Sequence, residues 1–441
     1  MTSEPRDMPS SLTRAYAGYA LGLLALSNLL SFVNRNVLFA LFEPLKHDLG
    51  LSDAALGWLA SAYVLVFSLA ALPFGVVGDM RSRRTVIVTG LLVWSLATLA
   101  SGFATSFATL LVCRALVGLG GAAFGAAAQS LAADYYPNRG RALALGILAA
   151  GTTLGGVLGI WVGGHLGALY GWRMTLVAVG APGFALAALA ARLKDPARAA
   201  GEMLPISLAR ANAELVGALN VVVRTPTLVY VFLGGALISF GLNGLVGWAP
   251  TFMSRELGLS VRAATALLGS WGLVAGILGA VVGGLMADWL RRYTPSGRIL
   301  TIGIGLLIGG PLAIWLLTVR NMTHFIPIFF GAFFFLSWYT GPLAAAIFDV
   351  VPARISATVA GAYLLFIHLA GDTIAFPLIG ALSDRFGIDR AVFVLPSVAL
   401  AGGVVVLLAT RSVEADMRRR LPESGAAWPA PASGHLDRRG P

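Results

Sequence analysis

Charge is what this chain has least of. Only 12% of its 441 residues are charged, against 57% hydrophobic; a soluble domain carries about a quarter charged. That scarcity excludes an ordinary soluble enzyme and a disordered scaffold. Cysteine is nearly absent as well. Cys113 stands alone in an apolar run, which excludes intramolecular disulfides and thiol-rich metal sites. Glutamine occurs once, as Gln129. The net charge of +11 does not indicate a nucleic-acid binder, because 29 of the 31 basic residues are Arg and most sit in short loops between apolar runs. No nucleotide-binding loop, nucleophile-base pair or His/Cys cluster falls at a usable membrane depth. Neither an enzyme, an ATP-driven pump, a metal site nor a cofactor is expected.

What the chain does have is long apolar runs. A helix of about 20 apolar residues crosses a bilayer. Twelve such runs are found, at 16–42, 54–77, 85–103, 107–133, 142–169, 173–193, 227–251, 262–288, 299–318, 324–348, 356–382 and 390–411. The reading is an all-α membrane protein with twelve transmembrane helices. An even number puts both termini on one side. With that side cytoplasmic, inner segments hold 22 Lys and Arg and outer loops hold seven, which fixes the orientation by the positive-inside rule. A plasma or inner membrane is expected, since no targeting segment is seen. The domains follow: a cytoplasmic N-tail over 1–15, a six-helix bundle over 16–193, a partly amphipathic cytoplasmic connection over 194–226, a second six-helix bundle over 227–411, and a disordered cytoplasmic tail over 412–441.

The two halves repeat each other. Ser31-Phe32 and Leu49-Gly50-Leu51-Ser52 recur 208 residues on, as Ser239-Phe240 and Leu257-Gly258-Leu259-Ser260. Gly75-x3-Asp79 recurs as Gly284-x3-Asp288. Asp134-x2-Pro137-x-Arg139 recurs 215 residues on as Asp349-x2-Pro352-x-Arg354. Two pseudo-symmetric six-helix bundles suggest a carrier that rocks about a site at the membrane midplane. Glycines every fourth residue on the fifth span, Gly151, Gly155, Gly159 and Gly163, mark a face for close helix packing.

The second span ends Gly75-Val-Val-Gly78-Asp79-Met80-Arg81-Ser82-Arg83-Arg84. This resembles the loop signature of the major facilitator superfamily, with Gly75, Asp79, Arg83 and Arg84 matching and Met80 and Ser82 departing. A carboxylate at an inner helix end can hold nearby Arg residues or face another helix N-terminus. Gly75, Asp79, Arg83, Arg84, Asp134, Arg139, Asp288, Asp349 and Arg354 are therefore the gating candidates. Further segments narrow the resemblance: Asn34-Arg35, Trp94-Ser-Leu-Ala-Thr, Arg114-Ala-Leu-Val-Gly118-Leu-Gly120, Gly171-Trp172-Arg173, Trp248-Ala-Pro250-Thr and His368-Leu-Ala-Gly371-Asp372. Together they look like the spinster branch of that superfamily. The resemblance implies a secondary carrier, and spinster-like proteins with known cargo move lysophospholipids and sphingoid phosphates. Two carboxylates of that pattern are missing. Asn34 stands for an Asp, and Gly121 for a Glu.

Ionisable groups inside a span are functional candidates by default. Four lie well inside: Arg35, Arg114, His368 and Asp372. Asn28, Ser31 and Arg35 share one polar face of the first span, read as facing the cavity. Substrate-binding candidates are Arg35, Asn34, Ser31, Asn28, Arg114, Asn243 and Trp248. His368 and Asp372 are four apart and form a candidate proton-titrating pair, with protons as the candidate coupling ion. If one Arg pairs with Asp372 across the halves, one cation remains for an anionic headgroup. Arg35 is the preferred substrate cation; Arg114 is read first as a brace on backbone carbonyls. Few amides are available inside, so a neutral sugar is a poor cargo.

The expected function is alternating-access transport of an anionic or zwitterionic amphiphile, by a monomer whose partners are the small-molecule or lipid substrate and membrane lipids, with no nucleic acid. The alternatives are a small organic anion such as a sugar acid, which needs a second binding cation, and a transport-dead sensor.

Overall fold

The computed structural model describes residues 13–80, 82–136, 140–195, 208–352 and 355–420. Among them every regular element is helical. This follows from the solvent: lipid offers no hydrogen bonds, so a spanning segment must satisfy its own backbone. Among the described residues, eleven continuous helical stretches are long and apolar enough to cross a membrane. One of them, Leu143–Ala190, has 48 residues. Run straight it would be about 72 Å long, more than twice the bilayer core of about 30 Å. It does not run straight. Gly171 breaks it with φ 76° and ψ 167°, a conformation open to glycine, and the chain turns back. That stretch is the expected fifth and sixth spans.

The other spans are, in order, Ala15–Leu49, Asp53–Gly75, Arg83–Ser101, Phe107–Tyr135, then Pro226–Glu256, Val261–Arg291, Gly297–Leu316, Met322–Val350, Ser356–Phe386 and Ile388–Arg411. The first is longer than its apolar run suggests. Its α-helix stops at Asn36, passes through a 3-10 turn over Val37–Leu41 and ends in a short helix over Phe42–Leu49.

Each half is a bundle. In the first, the third and second spans pack on the fourth and the first packs on the fifth. In the second, the twelfth packs on the seventh and ninth, and the tenth on the ninth. The glycine row of the fifth span explains how closely the first span packs on it. A side chain at Gly159 would begin 2.7 Å from the Val33 carbonyl, and one at Gly163 2.7 Å from that of Val37. Gly151 and Gly155 face the Ala25 and Leu29 carbonyls in the same way. The four-residue steps thus let one helix backbone lie against the other.

The repeat is also geometric. Arg83, at the start of the third span, pairs with Asp134 near the end of the fourth. Arg298, at the start of the ninth, pairs with Asp349 near the end of the tenth. Both pairs are 51 residues apart in sequence, and the second lies 215 residues after the first.

The connection and the tail each carry a helix. In the connection, Leu208–Arg224 is helical and packs on both the second and eleventh spans. The tail is helical over Val413–Arg420, where disorder was expected from 412. Its Asp416 is 5% exposed and accepts the backbone N–H of Thr227 at 3.0 Å, which caps the seventh span. Residues 421–441 lie outside the described residues.

Candidate functional site

Asp372 is fully buried and sits at the centre of a cluster drawn from both halves. The eleventh span widens to a π-helical turn over His368–Asp372, a local distortion that often marks a functional site. There the two side chains meet, His368 Nδ1 to Asp372 Oδ2 at 2.8 Å. Asn243 of the seventh span donates to Oδ1 at 2.9 Å, and Ser239 donates to the same oxygen. Arg35 crosses from the first half to Oδ2 at 3.5 Å. Ser239 and Asn243 are the repeat counterparts of Ser31 and Arg35, 208 residues on. One half thus supplies the cation, and the other supplies the carboxyl and two hydrogen-bond donors.

The side chain of Arg35 is 15% exposed. It lies over the rings of Phe32 and Tyr63, at 5.8 and 5.6 Å. Arg114 lies over the same Tyr63 ring at 5.4 Å, but its guanidinium is used differently. It is 2% exposed and donates to the carbonyls of Asn34 and Arg35, both at 3.0 Å. Those carbonyls belong to the last turn of the α-helix, where the ladder shortens into the 3-10 turn and leaves acceptors needing another donor. Arg114 therefore fastens the fourth span to the first.

The other substrate-binding candidates do not all gather here. Asn28 donates to the Leu148 carbonyl at 2.7 Å and to Thr152 at 2.9 Å, so its amide nitrogen ties the first span to the fifth. Asn34 is fully buried and bonds back to the Leu30 carbonyl at 2.9 Å, toward its own bundle. Ser31 is 4% exposed, beside Tyr63. Trp248 is fully buried against Phe42. The expected shared polar face thus reduces to Arg35, because one polar side chain on it is consumed by packing and the other is buried. Sequence reasoning missed Tyr63. Its mid-span position was the available signal, since a buried phenol needs a partner. Its hydroxyl lies 3.1 Å from where a side chain at Gly121 would begin.

A second constellation closes the end of the molecule away from the termini. Asp53, 1% exposed, opens the second span and is gripped by Arg255 at the end of the seventh through two bonds of 2.6 and 2.8 Å. Lys46 reaches the same carboxylate at 2.7 Å and Ser383 at 2.6 Å, while Arg255 also holds Glu43 at 2.8 Å. Asp384 of the eleventh span accepts the backbone N–H groups of Asp53 and Ala54 at 2.8 and 2.9 Å. Behind these charges, Phe39 packs on Phe376 and Phe42 on Trp248 across the halves. The sequence hinted at this seal through Lys46 and Arg255, basic residues on the side where basic residues are sparse.

Among the described residues the second span follows the eleventh from Phe386 back to the Asp372 turn, and substantial contact ends there. The bundles are joined at the far end and part toward the terminus-bearing face. The gating candidates on that face lie apart. Arg83 is held within its own half by Asp134 and by Asp195 at 3.4 Å. Asp349 is held within its half by Arg298 and by Arg291 at 3.2 Å. Asp288 is 72% exposed, 3.8 Å from Arg298, and Arg84 is exposed. A side chain at Gly75 would meet nothing. Arg139, Arg354 and the Asp79 side chain lie outside what is described.

A sequence model of the Major Facilitator Superfamily matches residues 24–371. The zebrafish (Danio rerio) protein spinster homolog 3 is 25% identical over 451 aligned residues, covering 94% of this chain and 89% of the relative. An MFS-type efflux pump of Mycolicibacterium smegmatis is 27% identical, covering 92% and 94%. A crystal structure of a bacterial homolog to the human lysosomal transporter Spinster, inward-facing and unoccupied, matches with a TM-score of 0.78 at 24% identity, over 95% of this chain and all of that one.

Proposed function

The chain belongs to the Major Facilitator Superfamily, and we propose that this secondary membrane transporter, an integral multi-pass protein resembling the spinster branch, carries an anionic or zwitterionic amphiphile such as a lysophospholipid or sphingoid lipid. The observation that carries the reading is the position of Arg35. It is a partly exposed cation at the meeting of the two bundles, while the other interior cation, Arg114, is buried on two carbonyls. A headgroup with one negative charge matches one available guanidinium. A small organic anion held at two cations fits less well, for the same reason.

Asp372 and His368 are the proposed proton carriers. Asp79 and Asp288 latch the terminus-bearing face when the far end opens. That face is cytoplasmic, following the Lys/Arg bias, in an inner or plasma membrane, and the monomer is the working unit.

Uptake of a labelled lysophospholipid into proteoliposomes, with and without a pH gradient, tests the reading. Saturable uptake that Arg35→Gln abolishes supports it. Absence of uptake above empty liposomes sinks the amphiphile reading, and organic anions would then be screened in the same vesicles. Absence of every flux would leave a sensor.

A further inference from the structure

The geometry around Arg35 also sets the sense of proton coupling, given the proposed anionic cargo. Asp372 has no exposed surface and four partners: Ser239 and Asn243 on one oxygen, His368 and Arg35 on the other. Arg35 is the only cation of the four if His368 is neutral. Tyr339 and Tyr363 also face the carboxyl, from the tenth and eleventh spans, and can supply no positive charge. Arg114 stands behind Tyr63 and is committed to carbonyls. Among the described residues Asp372 is also the only carboxylate paired with Arg35. A cargo anion that takes Arg35 therefore takes it from Asp372. A buried carboxylate stripped of its cation is strongly disfavoured. A proton on Asp372 removes that penalty.

We propose that the protein is a symporter, in which a proton on Asp372 and the cargo anion on Arg35 bind together and each alone binds poorly. The relay is short. The His368 side chain is 23% exposed. It takes a proton from water at Nε2 and passes the Nδ1 proton to Asp372 Oδ2. One proton has entered, the imidazole is neutral again as its other tautomer, and the carboxyl is neutral. Arg35 is then free for the headgroup. By linkage the proton raises cargo affinity by the factor by which cargo raises proton affinity. An exchanger would need the opposite, with cargo displacing the proton.

The test uses the full chain in nanodiscs and a lysophosphatidylglycerol probe, whose phosphodiester keeps one charge across the pH range. Wild-type affinity should tighten roughly 5–150-fold between alkaline and mildly acidic pH, and binding should draw protons from a weakly buffered solution. Asp372→Asn should bind tightly at every pH and equilibrate cargo without a gradient. His368→Gln should slow gradient-driven uptake and should still show cargo affinity that tightens as the pH falls, because Asp372 and Arg35 remain. Affinity that ignores pH, proton release on binding, or loss of binding in Asp372→Asn would each overturn the proposal.

A cargo-free arm separates this inference from the cargo assignment. Arg35→Gln should strengthen the infrared band of a protonated buried carboxyl over wild type at the same pH. The double variant with Asp372→Asn should lack the band, and Arg35→Lys should return it to wild-type strength. If no probe binds at any pH, the amphiphile reading fails, and the infrared comparison still decides whether Arg35 and the proton exclude each other on Asp372. An unchanged band means that they do not.

Discussion

Arg35 and Arg114 share one tyrosine ring and are used in opposite ways. Arg114→Met should lower the thermal midpoint in detergent, because two buried carbonyls lose their donor at about 1–3 kcal/mol each. Arg35→Gln should abolish cargo binding and, at mildly acidic pH where a proton on Asp372 replaces the lost cation, should lower that midpoint less than Arg114→Met does. If the two variants exchange these behaviours, the assignment of brace and ligand is reversed. The four interior charges were legible in the sequence because any ionisable residue in a span stands out against lipid. The polar face of the first span already favoured Arg35 as ligand and Arg114 as brace; which carbonyls Arg114 takes was not legible, since it depends on where the α-helix ladder of the first span gives way to a 3-10 turn. Asn28 shows the same limit. Spacing placed it beside Ser31 and Arg35, and only the neighbouring span shows its amide to be occupied.

Helix packing turns on single glycines. Gly159→Ala would push a methyl into the Val33 carbonyl and should cost about 1–3 kcal/mol. Gly156→Ala, which meets only the Asn36 amide at 3.6 Å, should cost little. Equal effects would mean that the two spans are free to separate. Gly171→Ala forces a side chain into backbone space that glycine alone occupies readily, and should destabilise by about 1–3 kcal/mol. Thermal unfolding of the three variants checks all of this. The spans and the repeat were readable from apolar length and spacing. The pairing of Arg298 with Asp349 was not. The sequence repeat drew attention to Arg354, which lies outside the described residues; the geometric repeat adds a contact that the motif did not contain, joining Arg298 to Asp349 as it joins Arg83 to Asp134. These ends are adjacent only once the third span lies against the fourth, and the ninth against the tenth.

At the scale of the whole molecule, the far end is held by one carboxylate between two cations. Asp53→Asn leaves Lys46 and Arg255 facing each other without their shared anion. Removing one partner of a buried pair costs several kcal/mol; with Arg255 partly exposed, about 1–3 kcal/mol is expected here. The far end should then open in a fraction of molecules raised by about one to two decades. Spin labels at the far ends of the fifth and eighth spans would report this as a second, longer distance. Cys113 is buried, so introduced cysteines can be labelled selectively. A single unchanged distance would show that the contacts left in place, Arg255 on Glu43, Asp384 on two backbone amides and the aromatic packing, keep the end shut without the Asp53 charge.

The cap on the second span is borrowed. Ser52 satisfies the N–H of Ala55 from within the same half, but the amides of Asp53 and Ala54 depend on Asp384 of the other. Whenever the bundles part at that end, these two amides meet water and their neighbours do not. Each turnover should therefore leave a trace in deuterium uptake confined to two adjacent peptide groups, and their exchange rate would count openings without any label, cargo or gradient.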